Sequence, residues 1–362
     1  MPNFIHKIVS LYIGSLALLL SSIANVSSIS DLELIKIIDQ QDKLLKEGKN
    51  WTEEELTRQA QEIVTSYENF LLDNPDNINA LLLFGKFLRK AGMDESAVSL
   101  FLKADQINPH ISVIKQELGN FLVETGKPVD AFPFFLMATR LTPQEPVYHF
   151  NLGNFIFLFE KELAQIEDSS KLGVLMHESF KEAAKLAPKN FDYHLRFAQS
   201  FFDFENSLEQ EALIAWEILA SEFGVRSQRE EDYIKVSMAK ILLEMGENKK
   251  AINLLRSVKS KSMNKETEIL LKKALTDNDR EIKKSSLNRN PYNSISPASS
   301  HFFPTDPNLQ RMKVVTLKLF QEQMLEELHR DVIKATMLPN GELTLEFSKR
   351  TQEQIDLNRY RQ

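Results

Sequence analysis

Cysteine is absent from the 362 residues, which excludes disulfides, thiolate metal sites, a cysteine nucleophile and a cysteine-linked lipid anchor. The absence leaves the compartment open, because a reducing cytosol and an exported protein without stray thiols both fit it. Charge of one sign is scarce as well. The 44 basic and 51 acidic residues give a formal charge of −7, which does not suit a protein that binds by neutralising nucleic-acid phosphates. The 11 glycines form no phosphate-cradling loop. Acids and histidines fall in no spacing that makes a paired acid–base centre or a metal cage. No catalytic residue, cofactor or metal is therefore expected, and no nucleic-acid partner.

Long apolar runs are also missing, with one exception near the start. His6 and Lys7 precede the largely apolar stretch Ile8–Leu20, and Ser21-Ser22-Ile23-Ala24-Asn25 follows it. That is the charged, apolar, small-residue order of a secretory signal peptide. Residues 1–24 are expected to be removed after Ala24, with Val26 and Ser28 offering a second cut, and the product to be periplasmic or secreted. At thirteen residues the run falls short of the roughly 20 that span a bilayer. An uncleaved membrane anchor is the alternative.

What is present is a repeat. Gly85, Ala97, Phe101, Ala104 and Pro109 are followed 34 residues later by Gly119, Ala131, Phe135, Ala138 and Pro143. Gly153 opens a third copy that closes late, at Phe180, Ala183 and Pro188, so its Gly and Phe lie 27 residues apart instead of 16. A fixed period of this size predicts stacked helical hairpins. Glycine and alanine let helices approach closely, the large residues fill the space between them, and proline ends the second helix. The extra residues, Glu160 to about Gly173, read as an elongated first helix and a longer loop. Upstream, Leu32, Ile35, Ile38 and Leu45 keep a helical period before Gly48, and Thr52 with Glu55 forms a capping box. Tyr67 and Pro75 fall where a preceding copy would have its aromatic and its proline. Fainter copies follow around Ala198, Ala212 and Trp216, and around Ala239, Ala251 and Leu255.

Over about residues 31–276 the chain resembles the tetratricopeptide repeat family. Leu81, Phe84, Gly85 and Leu88 match its first-helix pattern, as do Leu118, Gly119 and Leu122, with Lys115 where a large apolar residue is usual. The resemblance implies an all-α superhelical solenoid of about five to six antiparallel helix pairs. It further implies a concave face, lined by first helices, that holds a peptide or helix of another protein. Some family members clamp a C-terminal carboxylate at positions that here carry Gln116, Asn120, Asn151, Asp192 and Arg196. Both asparagines and the arginine suit an anion, because amide and guanidinium groups donate. Asp192 does not. The groove candidates are Lys86, Arg89, Gln116, Asn120, Asn151, Asn154 and Arg196. His149 and His194 are read as packing residues. The aromatic groups Phe132/Phe134/Phe135, Phe155/Phe157/Phe159 and Phe201/Phe202/Phe204 cannot all point inward from amphipathic helices.

Composition changes after the repeats. From Glu247 to Asn290 there are twelve basic and six acidic residues, a surplus of six, so the rest of the chain carries −13. Within it, Lys249 to Arg289 reads as a flexible, solvated spacer, with anionic lipid or nucleic acid as the alternative contact. Residues 277–307 are expected to be a flexible linker rich in Ser, Asn and Pro. In the tail, 308–362, an amphipathic helix is predicted over Leu309–Ile333 through Met312, Val315, Leu319, Met324, Leu328 and Val332. A hairpin turns at Asn340-Gly341, between Ile333–Met337 and Leu343–Phe347. Alone the hairpin would be marginal, so it should dock on the repeats or on another chain. The functional expectation is an exported, non-enzymatic binding scaffold. The alternatives are a structural subunit or homo-oligomer assembled through the tail, and a membrane-anchored accessory factor.

Overall fold

The structure is a computed structural model that describes residues 29–204, 208–224, 227–277, 307–323 and 330–349. The proposed signal segment and almost all of the expected linker lie outside these residues. The described residues form fourteen α-helices and one two-stranded sheet. Six successive helical hairpins carry the repeats: α1 (Ile29–Glu47) with α2 (Glu53–Asp73), α3 (Ile78–Lys90) with α4 (Asp94–Ile107), and α5 (Ser112–Glu124) with α6 (Pro128–Leu141). They continue through α7 (Pro146–Leu163) with α8 (Ser169–Leu186), α9 (Phe191–Ser200) with α10 (Glu209–Glu222), and α11 (Gln228–Glu244) with α12 (Asn248–Arg256). Then come α13 (Asn264–Asp277), α14 (Pro307–Gln323), β1 (Arg330–Met337) and β2 (Leu343–Lys349). The fold is all-α and tetratricopeptide-like. Two compact units are distinguished: Met1–His110 with Val315–Gln362, and Ile111–Val314.

The repeated glycines do what their spacing predicts. A Cβ on Gly85 would lie 2.5 Å from the Phe101 ring, one on Gly119 3.1 Å from Phe135, and one on Gly153 2.7 Å from Phe180. Each first helix thus lies against the aromatic ring of its own second helix. A second series of glycines, not singled out by the sequence pattern, closes the turns. Gly92, Gly126 and Gly246 each stand seven residues after Gly85, Gly119 and Ala239, with φ of +74°, +73° and +78°. The amide of the following residue bonds back to the helix: Met93 to Leu88 O at 2.9 Å, Lys127 to Leu122 O at 2.7 Å and Glu247 to Leu242 O at 2.8 Å. This is a left-handed glycine cap, which an L side chain would strain.

The insertion in the third copy gives the elongated first helix and longer loop that were expected, and it lengthens the second helix as well. Both helices have 18 residues, against 13 and 14 in the second copy, and the loop between them spans 164–168 against 125–127. Gly173 lies inside α8, where an added Cβ would meet Phe204 at 2.8 Å. The extended α7 breaks its helical geometry at Phe159 (φ −120°, ψ 23°). Basic residues 249–277, read as spacer, are helical in α12, a single 3₁₀ turn (Lys261–Met263) and α13.

In the first unit the capping role of Thr52 holds, its hydroxyl accepting from Glu55 N at 3.2 Å. Tyr67 is buried, stacks on Phe84 at 4.9 Å and donates to Gln41 Oε1 at 2.8 Å. The hairpin docks on α2. Ala335 N donates to Thr57 Oγ1 at 2.8 Å, Val332 N donates to Gln61 Oε1, and Lys334 pairs with Glu53 at 3.3 Å. The three α2 residues are spaced i, i+4, i+8 and form one stripe. On the other strand Leu345 N reaches Ala91 O at 3.4 Å. Val332, Ala335, Leu343 and Leu345 are buried, so both edges and the inner face of this marginal element have a host.

Two tail expectations need correction. The helix is described as far as Gln323, Met324 and Leu328 lie outside the described residues, and Arg330–Ile333 is strand rather than helix, with Val332 opposite Phe347. The turn has three residues, Pro339-Asn340-Gly341. Gly341 N bonds to Leu338 O at 2.8 Å, Leu338 N to Glu342 O at 2.7 Å, and Gly341 takes φ +87°. Pro339 favours the first turn position, and glycine completes the bulge.

Candidate functional site

First helices carry all seven groove candidates. Lys86 and Arg89 lie on α3 in the first unit. Gln116 and Asn120 lie on α5, Asn151 and Asn154 on α7, and Arg196 on α9, all in the second unit. Arg89 is mostly covered and its Nε lies 3.7 Å from Asp94 Oδ1. Lys86 is half-buried. Gln116 is buried, and its Nε2 donates to Asn120 Oδ1 at 3.1 Å. Asn120, Asn151 and Asn154 are partly open, and Asp192 is exposed.

Arg196 is largely covered and is held by contacts within the fold. Its guanidinium lies 4.2 Å from the Phe157 ring centroid and 4.4 Å from that of Phe180. It also pairs with Asp203 Oδ2 at 2.6 Å, in a setting where both side chains are largely covered. Two ring faces and a carboxylate hold the flat guanidinium, while its other terminal nitrogen is buried without a hydrogen-bond partner among the described residues. Arg196 therefore fixes the faces of α7, α8 and α9 relative to one another.

The aromatic groups divide as their helices do. Phe132, Phe134 and Phe135 are all buried, because α6 packs against both α5 and α7. Phe155 stacks on Phe135 at 4.4 Å, whereas Phe157 is 43% exposed. Phe201 is buried and Phe202 is 41% exposed. Phe157 stands four residues after Gly153, and Phe202 four after Ala198. They therefore occupy the same position of successive repeats, and Leu158, also exposed, extends the apolar surface. Beside them Gln199 Nε2 donates to Tyr233 Oη at 3.1 Å, and Phe202 packs near Trp216 at 6.0 Å. The signal for these two exposed rings was in the sequence, as the Gly+4 offset.

The histidines pack. His149 is buried and its Nε2 lies 2.9 Å from Pro143 O, tying α7 to the proline turn before it. Burial lowers its pKa, partly offset by the Pro143 carbonyl. His194, also six residues after a proline, is held below the ordinary value by burial, with the Pro188 carbonyl opposing. His177, unnoticed in the sequence, is buried with Nδ1 2.8 Å from Ser200 Oγ and Phe197, Phe201 and Phe204 around its ring. Burial, with some help from Lys181, lowers its pKa to about 4. Among the described residues no group of acids and histidines could hold a metal, and no helix is long and apolar enough to cross a membrane.

No protein-family model matches the sequence, and no curated protein matches it. Solved structures of helical-repeat proteins do resemble the fold. YrrB, described as a TPR protein with an unusual peptide-binding site, is 14% identical, with 59% of this chain and 98% of that one aligned at a TM-score of 0.44. PilW, described as a widely conserved type IV pilus biogenesis factor, is 15% identical over 69% of this chain and 99% of its own, at 0.41. The Naa15/Naa10 complex bound to HypK-THB is 13% identical, covering 67% and 34%, at 0.45.

Proposed function

We propose that the protein is an exported, non-enzymatic scaffold that holds a peptide or helix of another protein on the first-helix faces of α5, α7 and α9. One observation carries this reading. Phe157 on α7 and Phe202, two residues past the end of α9, occupy the same position of successive repeats, and both are about two-fifths exposed. Apolar surface aligned across neighbouring repeats lets one ligand be read by several units. The half-open amides of Asn120, Asn151 and Asn154 supply donors and acceptors beside that surface. Arg196 supports it from beneath Phe157. Export rests on the residue order of the first 24 positions, and N-terminal sequencing of the mature protein tests it: a start at Asn25 is the expected result.

The binding test is affinity capture from host extract with the wild-type protein and with a Phe157→Ser/Phe202→Ser variant, read by mass spectrometry. A partner held by the first and lost by the second, at unchanged helicity, is the expected outcome. A partner held equally by both would remove the site from these helices.

A further inference from the structure

The α12–α13 segment carries positive charge that makes no ion pair among the described residues. On α12, Lys249 and Arg256 are exposed; between the helices Lys259 and Lys261 are exposed; on α13, so are Lys265, Lys272 and Lys273. None of these seven side chains makes an ion pair with any described residue, although exposed lysines elsewhere in the chain do so with acids three or four residues away. Nearby acids are engaged or few. Glu247 pairs with Lys250 at 3.4 Å and Glu266 with Lys240 at 2.5 Å, which leaves Glu268 among these lysines, with Asp277 at the end of α13. The chain as a whole is acidic, so this concentration is local.

The geometry on α13 sorts these residues onto one face. Lys265, Ile269, Lys272 and Lys273 fall at i, i+4, i+7 and i+8, opposite the buried Ala274 side. Ile269 is 59% exposed and Leu275, at the edge of the same face, is 53% exposed. A polar outer face is the ordinary way to end a stack of helical repeats. Solubility alone would be served by mixed charge and no exposed aliphatics. Lysines flanking aliphatic side chains on an exposed helix face instead match a bilayer interface, where the ammonium groups meet anionic headgroups and the aliphatic tips enter the acyl boundary. Nucleic acid explains the lysines but not Ile269 and Leu275, since single strands are held on aromatic rings.

We infer that the α12–α13 face is a peripheral docking surface for an anionic membrane leaflet. The test is co-sedimentation of the full chain with vesicles of phosphatidylcholine alone and with about 30 mol % phosphatidylglycerol, at about 0.05 and 0.5 M salt. Binding to the anionic vesicles should be at least about tenfold tighter than to the neutral ones, and the difference should vanish at high salt. Any insertion by Ile8–Leu20 contributes to both vesicle types, so the difference isolates this face. The Lys265→Glu/Lys272→Glu/Lys273→Glu variant should lose the preference at unchanged helicity, while Ile269→Asn/Leu275→Asn should weaken anionic-vesicle binding severalfold. Equal binding to both vesicle types, or a preference unaltered by the triple reversal, overturns the proposal. So does tighter binding of RNA or duplex DNA than of anionic vesicles, with no response to Ile269→Asn/Leu275→Asn.

Discussion

The first and third repeats solve one packing problem with different lengths of chain. In the first, 16 residues separate Gly85 from Phe101 and the helices have 13 and 14 residues. In the third, 27 residues separate Gly153 from Phe180 and both helices have 18. Yet an added Cβ would meet the ring at 2.5 Å in one and 2.7 Å in the other. The conserved quantity within this chain is the contact near the crossing of the two helices. Residues added beyond that contact extend both helices and shift their ends. The break at Phe159 falls six residues past Gly153, outside the region the contact has to hold.

The most severe way to break that equivalence is to remove the ring. Phe101 and Phe180 are both fully buried, so Phe101→Ala and Phe180→Ala should each cost about 3–5 kcal/mol. Phe180 also underlies Arg196 and sits 5.9 Å from Phe150, so its loss should be at least as large. Urea unfolding followed by circular dichroism measures both. A Phe180→Ala cost under about 1 kcal/mol would mean that the inserted copy packs around something other than its glycine contact.

A comparable effect appears with pH, and in the third copy alone among these three. Three residues before the ring stand Val98, Phe132 and His177, all buried. Folded His177 titrates near 4, the unfolded side chain near 6.5. Between those values the unfolded state binds more protons, so stability falls as pH drops from about 6.5 towards 4, by on the order of 3 kcal/mol at the acid end. His149 and His194 add to the loss in the same direction. His177→Val should flatten much of the slope measured by denaturant titrations across this range. It leaves Ser200 Oγ its bond to Phe197 O at 2.6 Å. A slope unchanged in that variant would refute the assignment.

Adding a methyl group sharpens the comparison further. Gly85→Ala and Gly153→Ala force a carbon against a ring that is walled in, and should cost about 1–3 kcal/mol each. Gly119→Ala, with 3.1 Å to Phe135, should cost less. Thermal melts of the three variants should therefore rank Gly85 and Gly153 below Gly119. The reverse order would show that ring mobility, not the initial gap, decides the cost.

These glycine and phenylalanine contacts were legible in the sequence because each pair recurs with the repeat. Residues whose partners do not recur were not legible in this way. Arg196 occupies a position where the family resemblance suggested ligand binding, but Asp203 lies beyond the end of α9 and Phe157 on the preceding first helix. Thr57 and Gln61 look like ordinary solvent-facing residues of α2, and only the strand brought against them, more than 270 positions later, gives them a function. The turn at Gly341 was located but miscounted by one residue. Pro339 sets the first turn position, and dipeptide preference alone does not count it.

The smallest expected effect on stability tests what the repeats present outward. Four residues after the glycine the first copy has Arg89, paired with Asp94, and the third has Phe157, 43% exposed. Neither fills the core, so Arg89→Ser and Phe157→Ser should each change stability by no more than about 1 kcal/mol. The Phe157 change is the larger of the two, because it removes one ring from Arg196. Their effects on partner capture should separate. Phe157→Ser removes exposed aromatic area from the proposed binding face, while Arg89→Ser removes a cation already satisfied within its own turn. Capture that falls for Phe157→Ser and holds for Arg89→Ser, with both variants melting near the parent, assigns the outward position of the third repeat to recognition. The opposite pattern would move recognition to the first unit and leave Phe157 as the cover of Arg196.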